Sequence, residues 1–308
     1  MQLIKLTIIN IQHIYYIIMA SSTIILNSTN RDPTTNNRFT YNFPSNVKFN
    51  EGDTVAVENI SLYNSIFNIE AERANNTFSI IWNADSAVTY DFVIPDSFMD
   101  IPAINYYIQY VCVQNGLYCI NASGNYVYFV ELVINSTVYG SELRTYILPD
   151  TTEAGVLGYT KPAGASWSFH ASADATPQLI IDTDAFGSLF GMEAGTFPAT
   201  PQTTSQYIAS TVTPQISPVN SLILTCNLIQ SELSNPSNIF YSMPLNSAYG
   251  SLMSTANTTK SDLPIFEGSY KNIVIEVLDQ LYNRVKLNDF EVLIKLRLIR
   301  HKKPKLLK

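Results

Sequence analysis

The sequence predicts an all-β fold, because three of its features are typical of packed antiparallel sheets. After residue 120, almost every strong apolar segment is short and ends at Asn, Asp, Gly, Pro or Ser. Two such strands, residues 268–280 and 290–299, close the chain. Long loops separate the strands, and few segments have helical periodicity. A single jelly-roll sandwich, with an inserted or elaborated region that contains one short helix, fits this pattern best.

Strand patterns begin near the N-terminus. Residues 38–43 alternate aromatic with polar side chains, which is the period-2 signature of a half-buried strand. Residues 23–27 and 54–67 are further β-segments. Residues 77–82 and 88–94 predict a hairpin.

One helix is predicted, from Ile101 to Asn115. Its apolar residues recur at helical spacing and form one stripe, which favours core packing over a ligand site. Asp100 can cap its start, and Pro102 suits its first turn. The stripe consists of Ile104, Tyr107, Ile108, Val111 and Cys112.

The second half of the chain alternates strands with loop-rich stretches. Residues 149–215 and 235–260 are rich in turn-forming residues. The predicted strands are 117–121, 126–134, 139–148, 179–183, 221–230 and 239–243. The predicted division is an N-terminal extension over 1–18, a jelly-roll core over 19–96 plus 216–300, an inserted region over 97–215 and a basic tail over 301–308.

The first 18 residues are apolar, and Lys5 is their only full charge. An extension or packing arm, a signal peptide and a membrane anchor are all compatible with this pattern. Met19 could also be the natural start, in which case the extension is absent from the mature protein.

The C-terminal end is basic, although the chain has 25 acidic and only 18 basic residues. Such a tail suits a contact with nucleic acid, an acidic lipid or an acidic neighbour; a solvated terminus is the alternative. The candidate tail residues are Arg297, Arg300, Lys302, Lys303, Lys305 and Lys308.

Residues typical of catalysis are scarce. The three histidines have no zinc-site spacing, and a Ser–His–Asp hydrolase would have to use His170. Asp182 and Asp184 could serve a cation or a glycoside, but a turn cap is the simpler interpretation. We therefore expect no enzymatic activity, no cofactor and no metal.

Other chemistry-bearing residues have structural explanations. The aromatic side chains of Tyr126, Tyr128 and Phe129 could stack on nucleic acid, but their strands lack interleaved basic residues. Three cysteines, Cys112, Cys119 and Cys226, form an odd set without metal spacing, which predicts free buried thiols in a reducing compartment.

Several stretches in order give the chain a resemblance to the penton (minor capsid, vertex) proteins of virophages and polinton-like viruses. They span roughly residues 23–299 and carry the fold rather than a catalytic motif. The stretches are 26–31, 39–44, 56–68, 128–135, 186–198, 213–229 and 268–280.

The resemblance implies a structural virion protein, five copies of which close an icosahedral vertex and contact major capsid proteins. It implies location in the capsid after assembly in the host cytoplasm. Genome or an internal membrane could meet the basic tail, and a host receptor could meet the outer loops. The alternatives are a jelly-roll module that binds glycans or a receptor, and a β-sandwich hydrolase.

Overall fold

The computed structural model of the chain describes residues 18–171, 175–256 and 262–302. Most of the predicted N-terminal extension, residues 1–17, lies outside the described residues. The same is true of Lys303, Lys305 and Lys308 from the predicted tail.

The described residues form a strand-rich protein, which confirms the predicted all-β class. The strands of the first third are β1 (Ile18–Asn27), β2 (Arg38–Phe49), β3 (Thr54–Tyr63), β4 (Thr77–Asn83) and β5 (Ala87–Val93). The middle strands are β6 (Cys119–Ile120), β7 (Tyr126–Val127), β8 (Val130–Asn135), β9 (Gly140–Thr145), β10 (Gln178–Ile181), β11 (Gly195–Phe197) and β12 (Gln206–Ala209). The later strands are β13 (Ser221–Cys226), β14 (Ile239–Pro244), β15 (Leu252–Ala256), β16 (Leu263–Pro264), β17 (Gly268–Leu278) and β18 (Val292–Lys302). The helices are α1 (Ile101–Gln114), α2 (Thr151–Leu157) and α3 (Asp184–Gly187).

Contacts divide the chain into two compact units. The jelly-roll unit comprises residues 1–65 and 219–308, and the inserted unit comprises residues 66–218. The predicted insertion began at residue 97, whereas the structure assigns residues 66–96 to the inserted unit. The reason is strand pairing: β4 pairs with β5 and β10, both of which belong to that unit.

The jelly-roll unit contains two antiparallel sheets. One has the order β1-β18-β3-β15, with β16 paired to β3, and the other has the order β14-β13-β17-β2. With β15 and β16 counted as one interrupted strand, eight strands follow each other along the chain as β1, β2, β3, β13, β14, β15–β16, β17 and β18. Neighbours within each sheet are mostly distant in sequence, which is the double Greek-key order of a jelly roll.

Alternating burial explains why these sequences pair in this register. Leu26, Ile294 and Ile60 lie side by side across three strands, and each is fully buried. Phe39 and Ile275 form an equivalent pair in the second sheet. A register slip of one residue would turn each row toward solvent, so burial fixes the pairing.

Backbone contacts define the two ends of the jelly-roll unit. At the insertion end lies the loop after β1, and the loops after β14 and β17 meet the residues where the chain leaves and re-enters this unit. The Asn64 side chain donates to the Ser247 carbonyl (2.8 Å), and Asn288 donates to the Ser65 carbonyl (2.9 Å). At the opposite, terminal end lie the turn after β2 and the loops after β13 and β16, where the Phe266 N–H donates to the Leu228 carbonyl (2.8 Å).

The inserted unit is built around its own apolar core. Sheets of order β11-β10-β4-β5 and β12-β9-β8 contribute to it, together with helix α1. Helix α1 follows the prediction closely: Asp100 accepts the Ala103 N–H (2.9 Å), and Ile104, Ile108, Val111 and Cys112 are buried.

The loop-rich stretch 149–215 contains more regular structure than predicted. Helices α2 and α3 and strands β11 and β12 lie within it. Each element has seven residues or fewer, too few for periodicity to stand out, and local caps define the helices. Asp150 caps α2 by accepting the Thr152 and Glu153 N–H groups at 2.7 and 2.8 Å.

Candidate functional site

The basic residues predicted as a tail do not form one group. Arg297 and Arg300 belong to strand β18, and Lys302 is its last residue. The Arg297 guanidinium donates to Asp262 at 2.7 Å, and its side chain is only 15% exposed. Arg300 donates to the Lys48 carbonyl at 2.7 Å. These two arginines therefore belong to strand β18, whereas Lys303, Lys305 and Lys308 lie outside the described residues.

A buried carboxylate fixes the point where this tail begins. Asp53, in the turn after β2, is fully buried. Its Oδ2 accepts the Asn50 N–H (2.9 Å), and its Oδ1 accepts the His301 N–H (2.8 Å). The Arg300 Nε lies 4.0 Å from the same carboxylate. The end of β18 is thus tied to the terminal end of the jelly-roll unit.

The first residue of β1 and the last residue of β18 lie side by side at the terminal end of this unit. Ile18 is paired with Lys302 in the register of β1 and β18. Residues 1–17 and 303–308 consequently join the sheet at adjacent positions, at the terminal end. The structure thus brings together the starting points of the apolar extension and the basic tail.

The predicted acidic pair is not a shared site. Asp182 follows strand β10, whereas Asp184 opens helix α3 and accepts the Ala194 N–H at 2.7 Å. Thr183, between them, caps the helix. The turn-cap interpretation therefore accounts for Asp184. Among the residues that the structure describes, no group of three or more His, Cys, Asp or Glu side chains could hold a metal ion.

The single histidine proposed for hydrolase chemistry lies in the inserted unit. His170 pairs through its backbone with Asp150, and its carbonyl accepts the Thr151 N–H (3.0 Å). The Asp150 carboxylate is engaged in capping α2, as described above. The hydrolase hypothesis remains an untested prediction.

The cysteines are free and buried, as predicted. Burial raises the pKa of Cys112, Cys119 and Cys226 to about 12 in each case. Such thiols stay protonated at neutral pH and are poor nucleophiles.

An aromatic cavity of about 320 Å³ lies in the inserted unit. Tyr128 and Phe129, which the sequence analysis had singled out, line it together with Tyr146 and Tyr159. Tyr126 is placed differently, with its ring 4.5 Å from that of Tyr118. The cavity is formed where the segments flanking β8 and β9 meet α2.

Two carboxylates, Glu131 and Glu153, also line this cavity. The Tyr146 hydroxyl donates to Glu131 Oε2 at 2.9 Å. Burial and this hydrogen bond raise the pKa of Tyr146. Next to Tyr146, Arg144 forms an ion pair with Glu142 (2.7 Å), and the hydrogen bond to Glu142 raises the pKa of Arg144.

Sequence reasoning missed most of this cavity. Glu131 and Arg144 are cross-strand partners in the hairpin of β8 and β9, which was predicted, so their proximity could have been found. Glu153 and Tyr159 belong to a stretch predicted as loop. No sequence signal brought that stretch next to the hairpin.

Within the described part of the chain, no helix has the length and apolar character needed to cross a membrane.

Comparisons with known proteins give structural matches only. No protein-family model matches the chain, and no curated protein matches it. The crystal structure of the selenomethionine-labelled mavirus penton protein is 10% identical with a TM-score of 0.41, over 93% of this chain and 99% of that one. The cryo-EM structure of the Sputnik virophage is 13% identical with a TM-score of 0.37, over 92% of this chain and 98% of that one. One match is a penton protein and the other is a virophage structure.

Proposed function

We propose that this chain is a structural capsid protein, the penton subunit at the vertices of an icosahedral virion. The observation that carries the proposal is the strand order of the jelly-roll unit. This strand order forms the two-sheet sandwich that the resemblance of residues 23–299 to penton proteins implies. Jelly rolls of this order are found in viral capsid proteins and in lectins, so the ordered sequence stretches are needed to choose between these classes.

Assembly as a ring of five follows from this proposal. A closed ring uses heterologous contacts, in which one surface of a subunit meets a different surface of its neighbour. The jelly-roll unit offers exposed apolar side chains at both ends. Leu233 and Phe266 lie at the terminal end, and Leu281 and Phe290 lie at the insertion end. In this proposal, further contacts join the ring to major capsid proteins, after assembly in the host cytoplasm.

The assembly state provides the direct test. Light scattering coupled to size-exclusion chromatography should give five times the 34.4 kDa chain mass, and negative-stain images should show rings. Leu233→Glu removes an apolar side chain that is 99% exposed and should lower the fraction of rings without changing the fold. Glu232→Gln, at the neighbouring position, is the matched control. A strict monomer at all concentrations, together with absence from virions, would refute the proposal.

The C-terminal basic tail faces the particle interior in this proposal, toward the genome or an internal membrane. The support is charge and position: Lys303, Lys305 and Lys308 follow directly from the end of β18, beside the attachment of the apolar residues 1–17. A cluster of basic residues attracts either nucleic acid or anionic lipid, and salt weakens this attraction.

Replacing Lys303, Lys305 and Lys308 together by Gln tests the tail. The change leaves His301 and its bond to Asp53 in place, so the jelly-roll unit should keep its stability. We expect fewer packaged genomes or a displaced membrane in assembled particles. Unchanged genome content, membrane position and vertex occupancy would exclude the interior role while leaving the capsid role intact.

Receptor binding by outer loops and glycan binding remain predictions. The acidic pair that was proposed for a glycan gains no support as a site, because one carboxylate oxygen of Asp184 already accepts the Ala194 N–H from the loop that follows α3. A glycan array on the assembled protein would test the alternative through saturable binding.

A further inference from the structure

The aromatic cavity of the inserted unit is a feature that the capsid role does not require. We propose that it binds a small organic ammonium cation, such as a choline headgroup or a lysine side chain. Its volume of about 320 Å³ lies near the lower end of the range for small-molecule sites, about 300–1,000 Å³. That size suits a compact head group rather than an extended ligand.

The aromatic walls favour a cation. Tyr128, Tyr146 and Tyr159 are three tyrosines among the residues that line the cavity. The face of an aromatic ring carries negative potential, and clusters of such rings recognise quaternary ammonium groups. The Tyr146 hydroxyl is already engaged with Glu131. That bond fixes the position of the ring and leaves its aromatic surface as its main contribution to the cavity.

The charges of the lining residues also favour a positively charged ligand. Glu131 and Glu153 are the charged residues of the lining, and both are acidic. Arg144, the cation next to Tyr146, is held by Glu142 at 2.7 Å. Lys161, close in sequence to Tyr159, donates to the Trp167 carbonyl at 3.0 Å. Arg144 and Lys161 thus bond to groups outside the lining, and the only charges that the lining itself presents to a ligand are those of Glu131 and Glu153.

A neutral sugar is the competing ligand, since aromatic rings and carboxylates also contact sugars. The test therefore compares choline, Nα-acetyl-lysine amide and N-acetylglucosamine as separate probes of the full chain, using saturation-transfer NMR and calorimetry. We expect the two ammonium probes to bind and the sugar to show no saturation transfer. Choline binding alone points to a lipid headgroup as the source, and tighter binding of the lysine probe points to a protein partner.

Variants locate the site. Glu153→Gln removes an exposed carboxylate of the lining and should weaken ammonium binding about threefold or more, as expected for loss of a partner charge. Tyr159→Leu removes one ring and should weaken binding by a similar factor. Glu193→Gln, an exposed carboxylate of the same unit outside the lining, is the control. Circular dichroism checks that each variant is folded.

Three results would overturn the inference: no binding of either ammonium probe, binding of the sugar in preference to both, or ammonium binding that Glu153→Gln and Tyr159→Leu leave unchanged. The measurement is made on soluble protein and does not depend on ring formation. Failure of the capsid proposal and failure of this one are therefore distinguishable.

Discussion

Asp53 shows how one residue can organise an end of a sandwich. Its carboxylate is fully buried and accepts backbone N–H groups from Asn50 and His301. Its own carbonyl accepts the Ile265 N–H at 2.8 Å. Three segments that are far apart in sequence therefore meet at this residue. The turn around Glu51–Asp53 was predictable from sequence, but its partners on β18 were not, because they depend on tertiary pairing.

Replacement of Asp53 by Ala should lower the free energy of unfolding by about 3 kcal/mol, because two buried N–H groups lose a charged acceptor. Urea denaturation of the two proteins measures the difference. Glu51→Ala, at an exposed position of the same turn, should change stability by less than about 0.5 kcal/mol. Equal stabilities for Asp53→Ala and the parent chain would contradict this role.

The buried cysteines should make the free energy of unfolding fall at alkaline pH. Burial raises the pKa of Cys226 from 9.0 to about 12. Between these values the unfolded thiol loses its proton while the folded one keeps it, so the unfolded state gains stability as pH rises. At pH 10.5, one such thiol should cost about 2 kcal/mol relative to pH 7.

Cys226→Ala should therefore show a smaller loss of unfolding free energy between pH 7 and pH 10.5, under reducing conditions, than the parent chain. Ser221→Ala, in the same strand, should keep the parent slope and serves as the control. Identical slopes for Cys226→Ala and the parent would show that this thiol does not titrate differently in the two states.

At the scale of single elements, helix α1 was the most predictable part of the inserted unit. Its apolar stripe, its cap and its end all follow from local sequence, and each is present in the structure. Asp100→Ala should lower the free energy of unfolding by about 1 kcal/mol, because the Ala103 N–H loses its acceptor.

Gln114→Ala, at an exposed position near the end of the same helix, is the control and should be neutral or slightly stabilising. Thermal unfolding of both variants measures the difference. If Gln114→Ala lost as much stability as Asp100→Ala, the loss would come from changes on the helix surface in general and not from removal of the cap.

Other elements could be predicted only in part, for physical reasons. Strands β17 and β18 have eleven residues each and alternate in burial, so their pattern was clear in the sequence. Strands β11 and β16 have three and two residues, and only their partners define them. The cavity, like these short strands, could not be predicted from local sequence. Glu131 and Glu153 line it from two separate segments, and no local sequence pattern indicates that these segments meet.

At the scale of the whole molecule, the inserted unit lies between the third and the fourth of the eight jelly-roll strands along the chain. The chain leaves the jelly-roll unit after β3 and returns before β13, and its second unit is one continuous segment. The sequence predicted an insertion but placed its start at residue 97. The hairpin of β4 and β5 has the sequence pattern of a strand pair whichever sheet it joins, and its pairing with β10 assigns it to the inserted unit.

The inserted unit should fold when residues 66–218 are expressed alone. Every residue of its large buried cluster, from Ile69 to Met192, lies within that segment, and its length is typical of an independent domain. The chain has two tryptophans, Trp82 and Trp167, and both are buried in this cluster with ring centres 5.4 Å apart. Their fluorescence therefore reports on this unit, in the fragment and in the full chain alike. We expect one cooperative urea transition in each, and Trp82→Phe should move both transitions to lower urea by a similar amount. A fragment without a cooperative transition would show that the core of the inserted unit needs the rest of the chain to form.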